Sequence, residues 1–154
     1  MSEVLKGVRV VDLTRGPAGG LATMIMADFG AETLVIEAPE RHGTDRLAAT
    51  PMWRRGKRVL TLDTKDAEQR KVLEELLAGA DVCLFNWRSQ VLEAQALDFD
   101  SVHARHPHLI YCHISGFGSY GPKANYPGYE HLAAAASGRM QAFAGICDRA
   151  GPVY

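Results

Sequence analysis

The chain has 154 residues, 47% of them hydrophobic and 23% charged, with 17 basic against 18 acidic side chains and a formal charge of −1. That length allows one domain with a real core, and the near-neutral balance argues against bulk electrostatic binding of nucleic acid. No apolar run is as long as a membrane span and Met1 to Gly7 lacks the apolar centre of a signal peptide, so cytoplasmic residence is the expectation.

Val8-Arg-Val-Val-Asp-Leu13 is a short, nearly continuous apolar run, the pattern of a strand covered on both faces in a parallel sheet. Thr14 and a glycine-rich turn through Gly20 follow, then Leu21, Ile25 and Phe29 at helical spacing, with Gly30 as the stop. Ala31 to Glu37 supplies a second strand. Together they predict a βαβ unit whose turn aims backbone N–H groups at an anionic cofactor beyond the carboxyl edge of the sheet. Ala38 to Asp45 reads as a charged surface loop, and Arg41 and Arg46 there either meet phosphate or are solvated. Trp53-Arg-Arg-Gly-Lys-Arg58 sets four cations beside an aromatic ring: contact with phosphate or adenine is one reading, a solvated basic loop the other.

Val59 to Leu62 is the third strand, and Asp66 to Leu77 is an amphipathic helix on Val72, Leu73, Leu76 and Leu77. Asp81 to Asn86 is a strand ending in a polar residue, where an open α/β sheet presents ligand contacts. Ser89 to Ala96 and Phe99 to Arg105 read as short helices, and Leu109 to Ile114 as a strand. This alternation predicts a Rossmann-like, doubly wound, mainly parallel sheet with helices on both faces. Ser115 to Pro122 is a glycine-rich loop, extended by Asn125 to Gly128, of the kind that carries lids and substrate contacts. A helix over Tyr129 to Ser137 follows. Beyond Gly138 the pattern weakens and the core reads as unfinished.

Cys83, Cys112 and Cys147 are too widely spaced for a disulfide framework or a thiolate metal site, and the first two read as buried strand residues. His103, His106 and His108 do not share one face with a carboxylate, so no metal is expected. The first turn does not fit G-x-G-x-x-G, yet Glu37 stands at the distance of a ribose-binding acid, which leaves a nicotinamide-dependent oxidoreductase as an alternative. Gly56-Lys57-Arg58 is not a phosphate loop, and Ser115 does not sit in a nucleophile elbow. Tyr129-Glu130-His131 offers a carboxylate that is either a base, nucleophile or orienting acceptor, or an acid favoured in a first helical turn.

An ordered series of segments goes further: Leu5 to Leu13, Ala27-Asp-Phe-Gly-Ala31 with Val35-Ile-Glu37, Gly56-Lys-Arg58 with Leu62-Asp63, Ala80-Asp-Val82 with Asn86, His106 to Tyr111, Ser115-Gly-Phe-Gly118 and Gly121-Pro122. Together they resemble the amino-terminal part of the family III coenzyme A transferases, the group of formyl-CoA transferase, carnitine CoA-transferase and α-methylacyl-CoA racemase. The resemblance implies that residues 1–154 form the front of a CoA-binding large domain, with the second domain absent, in an enzyme that works as an intertwined homodimer. It also implies acyl-CoA and a small carboxylate as substrates. By position, Pro17 and Ala18 would line the CoA site, Leu62 and Lys65 would lie near its nucleotide end, and Asn86 and Trp87 would meet the pantetheine and diphosphate. Tyr129 and Glu130 match a supporting pair beside the active site of transferase members, where racemases carry histidine and aspartate.

The chain also departs from the family pattern. Ala18-Gly-Gly20 replaces Ala-Gly-Pro, Pro17 stands where formyl-CoA transferase has a glutamine facing the reacting group, and Ala38 replaces a frequent arginine. The nucleophilic aspartate of the family lies beyond the stretch resembling Gly151-Pro-Val153, outside this chain. The resemblance therefore implies the CoA-binding portion of an acyl-CoA:carboxylate CoA-transferase. A racemase-like enzyme and a non-catalytic CoA-binding or interaction module are the alternatives.

Overall fold

The computed structural model describes residues 3–39 and 48–142. Arg41, Arg46, Cys147 and the stretch Gly151 to Val153 lie outside the described residues. The chain divides into two compact units, residues 1–114 and 115–154.

The first unit runs β1 (Arg9–Asp12), α1 (Pro17–Asp28), β2 (Glu32–Glu37), α2 (Thr50–Trp53), β3 (Arg58–Thr61), α3 (Ala67–Ala78), β4 (Val82–Phe85), α4 (Ser89–Ala94), α5 (Phe99–Arg105) and β5 (Ile110–His113). Its five strands are all parallel, in the order β3-β2-β1-β4-β5. The Rossmann-like reading therefore holds. The chain winds outward from β1 to β3 and then returns to place β4 on the other side of β1, so the strand order reverses between β1 and β4. Open α/β sheets bind ligands at the carboxyl side of that reversal.

Successive side chains of a strand point to opposite faces, and the core divides accordingly. Val11, Leu13, Ile36, Cys83 and Phe85 pack with Leu73 and Leu77 of α3, Leu92 of α4 and Val102 of α5. On the other face Val10, Leu84 and Ala31 meet Ala22 and Met26 of α1 in a smaller cluster. Cys83 is fully buried, and desolvation pushes its thiol up to about 12, so at neutral pH it is a packed apolar group. Cys112 is half-buried.

Helix α1 differs from its sequence reading in two respects. It begins at Pro17 and runs through Gly19 and Gly20, which read as part of a turn. These glycines serve close packing: a Cβ on Gly19 would lie 1.9 Å from the Thr14 hydroxyl oxygen, and one on Gly20 would lie 3.2 Å from Trp53 Cβ. The apolar stripe that marked the helix also faces outward, with Leu21, Ile25 and Phe29 at 43%, 47% and 45% exposure. The buried positions are Gly19, Thr23 and Met24. Because α1 is apolar around most of its circumference, spacing alone does not distinguish its faces.

The helices on the larger core face are tied at their ends. Asp66 caps α3 by accepting from the Glu68 and Gln69 N–H groups at 3.1 and 2.9 Å, and Asp98 caps α5 through the Ser101 N–H at 3.0 Å. Helix α4 closes with Ala96 at φ 48°. The Ala96 N–H donates to the Glu93 carbonyl and the Leu97 N–H to the Leu92 carbonyl, the paired bonds of a left-handed helix end. Arg105 and Arg70 then donate to the Ala96 carbonyl at 2.7 and 3.3 Å. Both arginines and His106 also converge on the Glu74 carboxylate.

In the second unit, α6 (Glu130–Ala136) and α7 (Arg139–Ala142) follow the glycine-rich loop. Within that loop Gly116 and Gly128 meet backbone to backbone, and a Cβ on Gly116 would fall 2.3 Å from Gly128 Cα. Neither position admits a side chain without the loop moving apart.

Candidate functional site

The carboxyl ends of β1 and β4 define the site. Leu13 continues β1 by donating its N–H to the Leu84 carbonyl at 2.9 Å, and the chain then turns through Thr14, Arg15 and Gly16 into α1. Gly16 has φ 77° and ψ −164°, a conformation essentially restricted to glycine. No side chain caps α1, and Pro17 occupies its first turn. Pro17 and Ala18 are exposed there, at the positive end of a twelve-residue helix.

Asn86, immediately after β4, holds this turn. Its Oδ1 accepts from the Arg15 N–H at 2.9 Å and its Nδ2 donates to the Arg15 carbonyl at 2.6 Å. The side-chain amide thus pairs with both backbone groups of one residue, as a neighbouring strand would. The sequence places Asn86 at the ligand-bearing edge, and the structure gives its side chain the task of joining the two lips of the crevice. Trp87 is half-buried, edge-on to Phe85 with ring centroids 6.3 Å apart. Its carbonyl accepts from His113 Nε2 at 2.8 Å, and the Arg15 guanidinium carbon lies 5.8 Å from the centre of its ring. The indole N–H is buried with no hydrogen-bond partner among the described residues.

Beneath the turn lies a buried polar group that sequence reading missed. Asp12 Oδ1 accepts from the Thr14 N–H at 2.9 Å and from the Thr14 hydroxyl at 2.5 Å, while Oδ2 accepts from the Thr23 hydroxyl at 2.5 Å. Lys57 reaches in from the turn before β3, donating to the Gly20 carbonyl at 2.8 Å and to Thr23 Oγ1 at 2.5 Å, with its Nζ 3.6 Å from Asp12 Oδ2. The Lys57 and Asp12 side chains are only 1% and 2% exposed. Burial pulls the Lys57 ammonium below the ordinary lysine range, and the Asp12 charge opposes that shift. This group ties β1, the first turn of α1 and the approach to β3 together under the crevice.

The basic stretch therefore follows neither of its two sequence readings in the main. Arg54 pairs with Glu37, Arg55 pairs with Asp28 at 2.5 Å, and Lys57 is buried. These cations hold α1 and β2 in place. Glu37, the ribose-binding candidate of the nicotinamide reading, has its carboxylate engaged by Arg54.

The remaining sequence-predicted residues fall in two places. Leu62 continues β3, with its side chain in the larger core cluster and its N–H donating to the Glu37 carbonyl at 2.9 Å. Lys65 is exposed in the following turn, which is closed by its own N–H donating to Asp63 Oδ1 at 3.0 Å. Strand β3 lies two strands, roughly 10 Å, from β1, a distance an extended ligand can span. Tyr129 and Glu130 belong to the second unit, where Tyr129 is the exposed N-cap of α6 and Glu130 pairs with Arg139. Among the described residues, no group of three or more His, Cys, Asp or Glu side chains could hold a metal ion. No helix among them is long and apolar enough to cross a membrane.

The sequence profile described as CoA-transferase family III matches residues 5–153. The chain belongs to this family. Among family III relatives, human succinyl-CoA:glutarate CoA-transferase is 35% identical over 146 residues, covering 88% of this chain and 33% of the relative. The acetyl-CoA:oxalate CoA-transferase of Acetobacter aceti is 36% identical over 146 residues, covering 88% of this chain and 37% of the relative. A crystal structure of a CAIB/BAIF family protein from Brucella suis superposes with a TM-score of 0.84 at 33% identity, covering all of this chain and 44% of that one. The chain thus spans about a third of the length of these curated relatives.

Proposed function

We propose that this chain is the CoA-binding portion of an acyl-CoA:carboxylate CoA-transferase. The observation that carries this reading is the crevice between β1 and β4, where the exposed, uncapped start of α1 at Pro17 and Ala18 is locked to β4 by Asn86. In a family III chain, that crevice is the place for CoA. Pro17 and Ala18 line it, Trp87 forms an apolar wall beside the pantetheine, and Lys65 meets phosphate as a point charge at the nucleotide end. Leu62 contributes backbone there, since its side chain is in the core.

The chemistry we assign to the complete enzyme is covalent transfer. A carboxylate of the enzyme attacks the thioester carbonyl and releases CoA thiolate, leaving a mixed anhydride. The thiolate then attacks the enzyme's acyl carbon, releasing the first acid and giving an enzyme thioester. The incoming acid attacks that thioester and expels CoA thiolate to form a new mixed anhydride. The thiolate then attacks the substrate's acyl carbon of that anhydride, giving the new acyl-CoA and freeing the enzyme carboxylate. The energy of the thioester is retained throughout. By the family resemblance, the nucleophilic aspartate lies beyond these 154 residues, and Tyr129 and Glu130 act in support. The names of the human and Acetobacter relatives pair a CoA thioester with a dicarboxylic acid, and a dicarboxylate acceptor is our reading here. A cytoplasmic homodimer is the assembly that this reading carries with it.

Calorimetric titration of the chain with CoA, with NADH as control, tests the reading. We expect CoA but not NADH to bind, and Lys65→Ala and Trp87→Ala each to weaken CoA several-fold. Binding of NADH in preference to CoA would overturn it. For the complete enzyme, formation of a new acyl-CoA on adding a dicarboxylate supports transfer, whereas solvent deuterium entering α to the thioester carbonyl without transfer supports racemase chemistry.

A further inference from the structure

Arg15 is the cation of the first turn, and it differs from the cations that reach toward α1 and β2 from the stretch before β3. Arg54, Arg55 and Lys57 are all engaged with acceptors of the protein itself. The Arg15 guanidinium has no protein acceptor among the described residues, although its backbone is held at both N–H and carbonyl by Asn86. A long side chain on a freely moving loop explores much space, but this one leaves a backbone fixed at both hydrogen-bonding groups. It lies over the Trp87 ring, 5.8 Å from its centroid, and that contact restricts it further. The place it is held is the strand-order reversal, beside the uncapped positive end of α1.

A planar fork of donors with no acceptor of its own, fixed at a ligand crevice beside a positive helix end, matches an oxyanion. We propose that Arg15 is a ligand-binding residue that takes an oxyanion of the bound CoA thioester. The inference rests on the CoA-transferase reading above. Three parts of such a ligand carry that chemistry, the CoA diphosphate, the 3′-phosphate of its ribose and the free carboxylate of a dicarboxylic acyl group. Arg15 neighbours both ends of the proposed ligand path, lying over Trp87 and standing two residues before Pro17 in the turn.

The test is titration of the chain and of its Arg15→Gln and Arg15→Lys variants with CoA, pantetheine, butyryl-CoA and glutaryl-CoA. Lys71→Gln, a substitution on α3, is the charge-matched control. The Arg15 side chain makes no hydrogen bond that the fold requires, so thermal midpoints of the variants are expected to match the parent, and Arg15→Lys carries the test if Arg15→Gln does not fold. We expect Arg15→Gln to lose about tenfold in affinity for an anionic ligand, Arg15→Lys to be intermediate, and the parent's affinity to fall more steeply with salt than that of Arg15→Gln. Equal loss for CoA, butyryl-CoA and glutaryl-CoA, with pantetheine unaffected, assigns a phosphate of CoA. Loss for glutaryl-CoA alone assigns the carboxylate. Unchanged affinity of Arg15→Gln for all four ligands, or an equal loss in Lys71→Gln, overturns the inference while leaving the CoA reading intact. Failure of the parent chain to bind any CoA compound overturns both.

Discussion

Lys57 illustrates how a residue's chemistry can be legible in sequence while its task is not. Its charge is plain in the run around Gly56, but its partners Thr23, Gly20 and Asp12 are on α1 and β1, 34 residues or more away. Only the fold makes it a buried cation. Asp12 was equally hidden, since one acid ending an apolar strand does not signal a buried network. Asn86 was legible as an edge residue, but its double bond to Arg15 depends on how β1 and β4 stand beside each other. Replacing Lys57 by Met keeps the bulk of the side chain and removes the charge. Asp12 then keeps its Thr14 and Thr23 donors but loses its counter-charge in a site from which water is excluded. Breaking a buried pair from one side costs about 3 kcal/mol, so the urea midpoint of Lys57→Met should fall accordingly, with an unchanged denaturant slope. A variant as stable as the parent would mean that hydrogen bonds alone carry the site.

The strands are legible in sequence because apolar runs bounded by turn residues need little tertiary information. Helix α3 was likewise marked by the contrast of Val72, Leu73, Leu76 and Leu77 with the charges set among them, although only Leu73 and Leu77 are buried and Val72 is 41% exposed. Helix α1 lacked that contrast, and its packing on Gly19 and Thr23 depends on close approach to Thr14 that hydropathy does not record. The junction of α3 with α5 was also invisible, because Arg70 is a local i,i+4 partner of Glu74 but Arg105 and His106 are 31 and 32 residues away from it. Glu74 there accepts from His106 Nε2 at 2.9 Å, Arg105 Nε at 3.1 Å and Arg70 Nε at 3.0 Å. Partial burial acts to raise its pKa, but the three hydrogen-bonding partners outweigh it and hold the carboxyl below the ordinary glutamate value. The unfolded chain binds this proton more readily than the folded one. The stabilisation is therefore fully present above the ordinary carboxylate pKa, about 4.3, and is lost as pH falls through the lower folded value. Glu74→Gln should cost about 1–2 kcal/mol at pH 7, and the gap between the two proteins in urea melts should narrow steadily below pH 4. A gap independent of pH would show that packing, not charge, holds α3 to α5.

Across the molecule, the two faces of the sheet serve the site unequally. Phe85 and Leu84 are neighbours on β4, both buried, and point to opposite faces. Phe85 lies in the larger cluster, stacked on Tyr111 with ring centroids 5.0 Å apart and edge-on to Trp87. Leu84 faces the smaller cluster, where the α1 side is built from Ala22 and Met26. Truncating Phe85 to Ala should cost about 3–5 kcal/mol, and Leu84→Ala about 2–3 kcal/mol, because methionine and small side chains can settle partly into the gap. Stability alone would make both merely core residues. Trp87 separates them, since its ring rests against Phe85 while its carbonyl is fixed by His113. Loss of Phe85 removes the support of that ring, and with it the surface over which Arg15 lies. Under conditions where both variants are fully folded, Phe85→Ala should bind CoA several-fold more weakly than the parent, while Leu84→Ala should bind it normally. Equal affinities in calorimetric titration would mean that Trp87 holds its place without Phe85, and that the core supports the crevice only through the backbone ends of β1 and β4.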